Sequence, residues 1–210
     1  MSLTLGMSEE FAGFVFHRAM LTPDTQQDLL ADLRRVIATA PLVQPVTAWG
    51  KKMSVRMTSA GRVGWVIERG RYRYAPAHPE TGRPWPQIPE SVLSVWRSVS
   101  GWDADPDSCL INWYAEGAKM GLHQDKDEGR FDAPVVSISI GDPARFRIGG
   151  TERGDPTRST ILESGDVVVM GGAARLAYHG VDRIMFGDGS LLPGGGRINL
   201  TMRVVSDDIA

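Results

Sequence analysis

Period-two alternation dominates the chain from Leu110 onward. Val136, Ile138 and Ile140 alternate with Val135, Ser137 and Ser139, and Ile198, Leu200, Met202 and Val204 alternate with Arg197, Asn199, Thr201 and Arg203. Gly165-Asp166 opens the apolar run Val167-Val168-Val169-Met170. Side chains two apart share one face of a strand, so this spacing predicts half-buried strands. Before Leu110 only two stretches carry helical spacing. Thr22-Pro23-Asp24 supplies an N-cap, a proline at the first helical position and an early acid; Leu29, Leu30, Leu33, Val36 and Ile37 follow until Pro41 ends the run. Glu90 to about Val99 sets Val92, Val95, Trp96 and Val99 on one face. The pattern predicts an α+β, mostly β protein, with a helix-containing N-terminal layer leading into an all-β C-terminal body.

Length and composition narrow this further. A chain of 210 residues makes one substantial domain, and 42% hydrophobic with 23% charged residues is a globular balance. The 24 glycines and 13 prolines imply many tight turns, in keeping with sheet. The single cysteine, Cys109, excludes an internal disulfide and a four-cysteine zinc site and fits a reducing cytosol. No basic-then-apolar leader opens the chain, and no apolar run is long enough for a membrane span. A cytoplasmic protein with no membrane association is expected. Net charge is only −2, so any nucleic-acid role rests on a local patch. Residues 51–83 hold eight Lys and Arg against two Glu, a net +6, whereas residues 101–140 hold three basic against eight acidic residues, a net −5. A basic arm beside an acidic core suggests an anionic partner near a cation site.

The candidate chemistry starts at His123-Gln124-Asp125. On extended backbone His123 and Asp125 face the same way and can bind one metal together, and His179 can complete a set of two histidines and one carboxylate. Such a set leaves coordination positions open and suits non-haem Fe(II). By spacing alone a His-x-Asp is common by chance and is usually a surface turn. The strand Arg197–Arg203 spans about 20 Å, with an arginine at each end of its polar face. Two arginine forks so placed can grip a small dicarboxylate; the other reading is the solvated face of an ordinary strand. Asn112 and Tyr114 can add hydrogen bonds to the same anion, or decorate an edge strand. His17 and His78 read as surface or packing histidines, and Cys109 as a buried small side chain. No phosphate-binding Gly-rich loop, H-E-x-x-H or C-x-x-C is present.

Taken together, Asn-x-Tyr, His-x-Asp, a distant His and Arg-x-Asn-x-Thr-x-Arg form a sequence that resembles the AlkB family of Fe(II)- and 2-oxoglutarate-dependent nucleic-acid dealkylases. Cys109-Leu110-Ile111-Asn112, Leu122-His123-Gln124-Asp125-Lys126-Asp127-Glu128, Gly165–Val169, Tyr178-His179-Gly180 and Asn199-Leu200-Thr201 all match, as do Met53-Ser54-Val55, Gly64-Trp65 and Pro84-Trp85-Pro86. The likeness runs from about residue 40 to Arg203.

The resemblance implies a double-stranded β-helix (jelly-roll) core under an α/β nucleotide-recognition lid. Residues 1–100 would form a helical extension and lid, and 101–210 the core, as one catalytic unit. It assigns Fe(II) to His123, Asp125 and His179. It assigns 2-oxoglutarate to Asn112, Tyr114, Arg197, Asn199 and Arg203, with Arg203 near the keto-acid end and Arg197 near the distal carboxylate. Trp65, Tyr72, Tyr74, Asp127 and Arg153 would surround the nucleotide. With O₂ as second cosubstrate, the expected reaction demethylates 1-methyladenine and 3-methylcytosine, releasing formaldehyde, succinate and CO₂. Single-stranded DNA is the expected substrate, because an unpaired base leaves its stack most cheaply. RNA, including tRNA, is the alternative, and a protein or small-molecule substrate a more distant one. These lesions are cations, so Asp127 can attract them and Trp65 or Tyr72 can stack on them. A monomer is expected. Trp113 and Met170 depart from the family pattern, the first predicted to face away from the ligands and the second to alter the pocket wall. Arg73, between Tyr72 and Tyr74, bears on phosphate contacts.

Overall fold

A computed structural model describes residues 8–47, 49–68 and 70–205. A hairpin that alternation over so few residues did not reveal opens it, β1 (Ser8–Phe11) and β2 (Phe14–His17). Helix α1 (Pro23–Thr39) starts as the sequence predicts, with the Thr22 hydroxyl accepting from Thr25 N at 3.2 Å. Its Leu29, Leu30, Leu33 and Val36 are buried, worth about 1.5–3 kcal/mol each relative to exposure. Strands β3 (Val55–Gly61), β4 (Gly64–Glu68) and β5 (Arg71–Ala75) precede α2 (Glu90–Val99). Then follow β6 (Ser108–Tyr114), β7 (Met120–His123), β8 (Val135–Gly141), β9 (Ala144–Ile148), β10 (Arg158–Leu162), β11 (Val167–Met170), β12 (His179–Ile184) and β13 (Arg197–Arg203).

The strands form a seven-stranded sheet in the order β1-β2-β11-β8-β13-β6-β3 and a four-stranded sheet in the order β10-β9-β12-β7. This is the mostly β jelly roll. Leu29, Leu33, Val92 and Trp96 from the helices share a core with Ile198, Leu200 and Met202 on one face of β13. Phe146, Ile148 and Val181 of the smaller sheet pack with Val168 and Met170 toward the opposite side. Strands β8 and β11 are therefore buried throughout, not half-buried as alternation predicts. Their second face is closed by the small sheet. Arg197, Thr201 and Arg203 of β13 are buried too, with Asn199 partly so, because they line a cavity between the sheets.

Strands β1, β2 and β3, all from the first hundred residues, belong to the large sheet. The large sheet therefore takes strands from both sides of residue 101. The main outlying piece is the two-stranded ribbon β4–β5, and such a ribbon is marginal alone. Trp85 anchors it by donating Nε1–H to the Ala75 carbonyl at 2.8 Å and packing with Val66 and Ala75. Gly64 permits that approach: a Cβ there would lie 2.4 Å from Trp85 Cε2. Among the described residues no helix is long and apolar enough to cross a membrane.

Candidate active site

Strand pairing brings the two histidines together. His123 ends β7, His179 begins β12, and the antiparallel register sets them opposite one another. Asp125 follows two residues after β7. Ligand atoms of His123, Asp125 and His179 all lie within 4.8 Å of each other, with Asp125 Oδ1 3.7 Å from His123 Nε2 and Oδ2 3.8 Å from His179 Nε2. His123 Nδ1–H donates to the Gly121 carbonyl at 2.9 Å and His179 Nδ1–H to the Ala177 carbonyl at 3.0 Å. A carbonyl can only accept, so both rings carry the proton on Nδ1 and present the Nε2 lone pair to the site. Burial, then His123, pushes His179 down to about 4, keeping it a neutral ligand. Burial alone would raise the Asp125 carboxyl, but the Arg203 guanidinium beside it holds it below the usual carboxylate range. Two neutral imidazoles and one carboxylate on one side of an open position form the donor set of a non-haem Fe(II) centre.

A narrow cavity leads from this triad between the sheets. The β13–β6 register pairs Arg197 with Tyr114 and Asn199 with Asn112, so all four, with Thr201 and Arg203, line one wall. Arg203 sits at the triad end, its Nη2 2.8 Å from Asp125 Oδ2. Arg197 closes the other end and is 0% exposed. It donates to Ser139 Oγ at 2.6 Å and to the Asp142 carbonyl at 3.2 Å, but its Nε has no partner. Burial lowers its pKa to about 10, and it forms no ion pair among the described residues. Asn112 Oδ1 is likewise buried without a partner. An uncompensated buried guanidinium at one end and open metal positions at the other fit an anionic dicarboxylate such as 2-oxoglutarate.

A wider cleft of about 440 Å³ opens on the other side and shares His123, Asp125 and Arg203 with the narrow cavity. Trp65, Tyr72, Asp127 and Arg153 line it. Trp65 Nε1–H donates to Asp127 Oδ2 at 2.9 Å, and the Trp65 ring stacks on Tyr72 with centroids 5.3 Å apart. Arg153 lies over the Tyr178 ring at 5.5 Å. Tyr74 is placed differently. It is 2% exposed, lies outside the lining of the cleft, and donates its hydroxyl to Glu128 Oε1 at 2.7 Å. Tyr72 and Tyr74 lie two apart on β5, so position along the strand makes the difference: its first three residues are exposed, whereas its end is buried, with Tyr74 in a cluster with Val63 and Val205.

Sequence reasoning gave no role to Glu128, which is 1% exposed and also receives Arg203 Nε at 3.1 Å and Arg175 Nη2 at 3.2 Å. Its signal was its place at the end of Asp125-Lys126-Asp127-Glu128. Arg175, which donates to the Asp125 carbonyl at 2.6 Å, and Ser139 carried no signal of their own. Trp113 packs on the helical side of the sheet, away from the cavity, whereas Met170 lines the cavity. Of the basic stretch, Arg62 pairs with Asp107 and Arg73 with Glu68; Arg69 lies outside the described residues.

Fold and site together define an oxygenase with a facial iron triad and a buried cosubstrate cavity. The model of the 2OG-Fe(II) oxygenase superfamily matches residues 13–203. An alpha-ketoglutarate-dependent dioxygenase AlkB homolog of Caulobacter vibrioides is 52% identical over 91% of this chain and 87% of its own. The alpha-ketoglutarate-dependent dioxygenase AlkB of Escherichia coli is 46% identical over 77% of this chain and 76% of its own. The solved structure of OsALKBH1 superposes with a TM-score of 0.79 at 30% identity, covering 94% of this chain and 100% of that one. The chain belongs to the AlkB family of Fe(II)- and 2-oxoglutarate-dependent dioxygenases.

Proposed function

We propose that this dioxygenase removes N-methyl groups from 1-methyladenine and 3-methylcytosine in single-stranded DNA, with RNA as the alternative polymer. The observation that carries the reading is the meeting of two cavities at one triad, a narrow one lined by two arginines and a wider cleft walled by aromatics and Asp127. In this reading His123, Asp125 and His179 hold the metal, and Asn112, Tyr114, Arg197, Asn199 and Arg203 hold the cosubstrate. Bound Fe(II) with 2-oxoglutarate supplies the oxidising power of O₂, converting an N-methyl to an N-hydroxymethyl that sheds formaldehyde, with succinate and CO₂ as coproducts.

The chain's own part is positioning. Arg197 and Arg203 fix the two ends of the cosubstrate in the narrow cavity between the sheets. Trp65, braced by Tyr72 and by its bond to Asp127, offers a flat wall for the base. Asp127 spends one oxygen on Trp65 and keeps the other for an exocyclic amine, so its charge favours the cationic lesions. The ribbon β4–β5 and the segment leading into β3 act as the nucleotide-recognition lid. The protein acts as a monomer in this reading, and a cytoplasmic setting suits the single buried thiol.

The test is 2-oxoglutarate consumption by the iron-loaded protein. A single-stranded oligonucleotide bearing one 1-methyladenine should stimulate succinate formation well above the undamaged oligonucleotide. Equal stimulation by both would contradict the lesion reading.

A further inference from the structure

The segment before β3 is itself a small hairpin. Val46 pairs with Lys52, Thr47 N donates to the Lys51 carbonyl at 2.9 Å, and Gly50 N donates back to the Thr47 carbonyl at 2.9 Å. Gly50 takes φ +74°, which an L side chain rarely adopts. Outside the tip, Met53 N donates to the Pro45 carbonyl at 2.9 Å and Gln44 Nε2 to the Met53 carbonyl at 2.9 Å. The backbone is thus held on both sides of the turn. At its tip stands Trp49, 93% exposed, beside Val46 at 44%. Lys51 and Lys52 are exposed next to it, and neither forms an ion pair among the described residues. Thr47 and Met53, at the base of the same hairpin, line the 440 Å³ cleft.

An indole left in water on a hydrogen-bonded support has no folding role, since it packs on no core. We infer that Trp49 is a stacking platform for the base adjacent to the one held in the cleft, with Lys51 and Lys52 on the neighbouring phosphates. The inference rests on the nucleic-acid reading above. Three observations favour a strand of nucleic acid as the occupant: the hairpin's continuity with the base cleft, two uncompensated cations on the same tip, and an aromatic face of the kind on which any base can stack. The site is sequence-tolerant by construction, because stacking and phosphate contacts read no base edges.

Binding of a fluorescent single-stranded pentanucleotide with a central 1-methyladenine tests this, measured anaerobically with iron and 2-oxoglutarate present so that no turnover occurs. Trp49→Ala should weaken the pentamer about 5- to 100-fold, the range for loss of one base–aromatic stack, and Trp49→Phe should restore most of it. The preference for the pentamer over the methylated mononucleotide should shrink by the same factor. Lys51→Ser and Lys52→Ser should each flatten the dependence of log Kd on log salt by about 0.7. Both Trp49 variants should melt with the wild type. If wild type binds the pentamer and Trp49→Ala binds it equally well, the platform is overturned and the tip belongs to a partner of another class. If wild type binds neither pentamer nor mononucleotide, the nucleic-acid reading fails, and the platform with it.

Discussion

Arg203 Nη2 lies 2.8 Å from Asp125 Oδ2, so one guanidinium both borders the narrow cavity between the sheets and clamps a residue of the triad. Burial opposes its charge, but the carboxylates of Asp125 and Glu128 outweigh burial and keep it. Arg203→Ala should leave the buried Asp125 without its arginine partner and Glu128 with Arg175 alone, costing about 3–5 kcal/mol of stability. Affinity for a reporter metal such as Co(II) should fall about 10- to 100-fold, as for other residues that orient metal ligands. Metal titration checks this; an unchanged isotherm in a folded variant would show that Asp125 is positioned without Arg203.

Arg197 makes a separate prediction because its charge lacks a carboxylate partner. In wild type, 2-oxoglutarate at one hundred times its Kd should add about 2.7 kcal/mol of stability, raising Tm by roughly 5–10 °C. Arg197→Met should lose most of that shift. A full shift in the variant would remove Arg197 from the cosubstrate site.

Asp127 carries the discrimination by charge. Asp127→Asn keeps an oxygen for Trp65 but loses the negative charge. It should lower kcat/KM on 1-methyladenine about tenfold more than on neutral 3-methylthymine, since a hydrogen bond to a charged group is worth about 1.5–3 kcal/mol. Competition kinetics with both oligonucleotides decide the point, and equal losses would refute electrostatic selection.

Tyr74 and Glu128 should behave as a structural pair that fastens the ribbon to the core. Tyr74→Phe leaves Glu128 short of one donor and should cost about 1–3 kcal/mol while leaving the ranking of lesions as in wild type. Thermal melts and lesion competition check both halves; an altered ranking with an unchanged Tm would return Tyr74 to the base cleft.

Burial pushes the Cys109 thiol from 9.0 up to about 12. The group favours the fold fully below the value of the unfolded thiol, and that contribution is lost as pH climbs from about 9 toward 12. At pH 8 iodoacetamide should label Cys109 only in denaturant. Rapid labelling of the native protein would contradict its burial.

The helices were legible because each carries its own start signal and apolar stripe, as Thr22-Pro23 and the Leu29–Val36 series do for α1. The polar face of β13 was legible as a face, but its burial was not. Whether Arg197 meets solvent or a cavity depends on the small sheet folding over it, which no local pattern records. His123 and His179 could be proposed as partners from the motif, yet their contact comes from the β7–β12 register across more than fifty residues. Glu128 and Arg175 escaped for the same reason: their meaning lies in partners distant in sequence. Tyr74 shows the reverse case, a residue in a recognised block whose neighbours turn it inward.

The most direct test of the central claim is mass spectrometry of a single-stranded oligonucleotide bearing one 1-methyladenine after incubation with protein, Fe(II), 2-oxoglutarate and air. The prediction is loss of the methyl group, dependent on both iron and cosubstrate and absent in Asp125→Ala. An unaltered oligonucleotide, from protein shown to be folded, iron-loaded and producing succinate, would contradict it and assign the oxygenase core to another substrate.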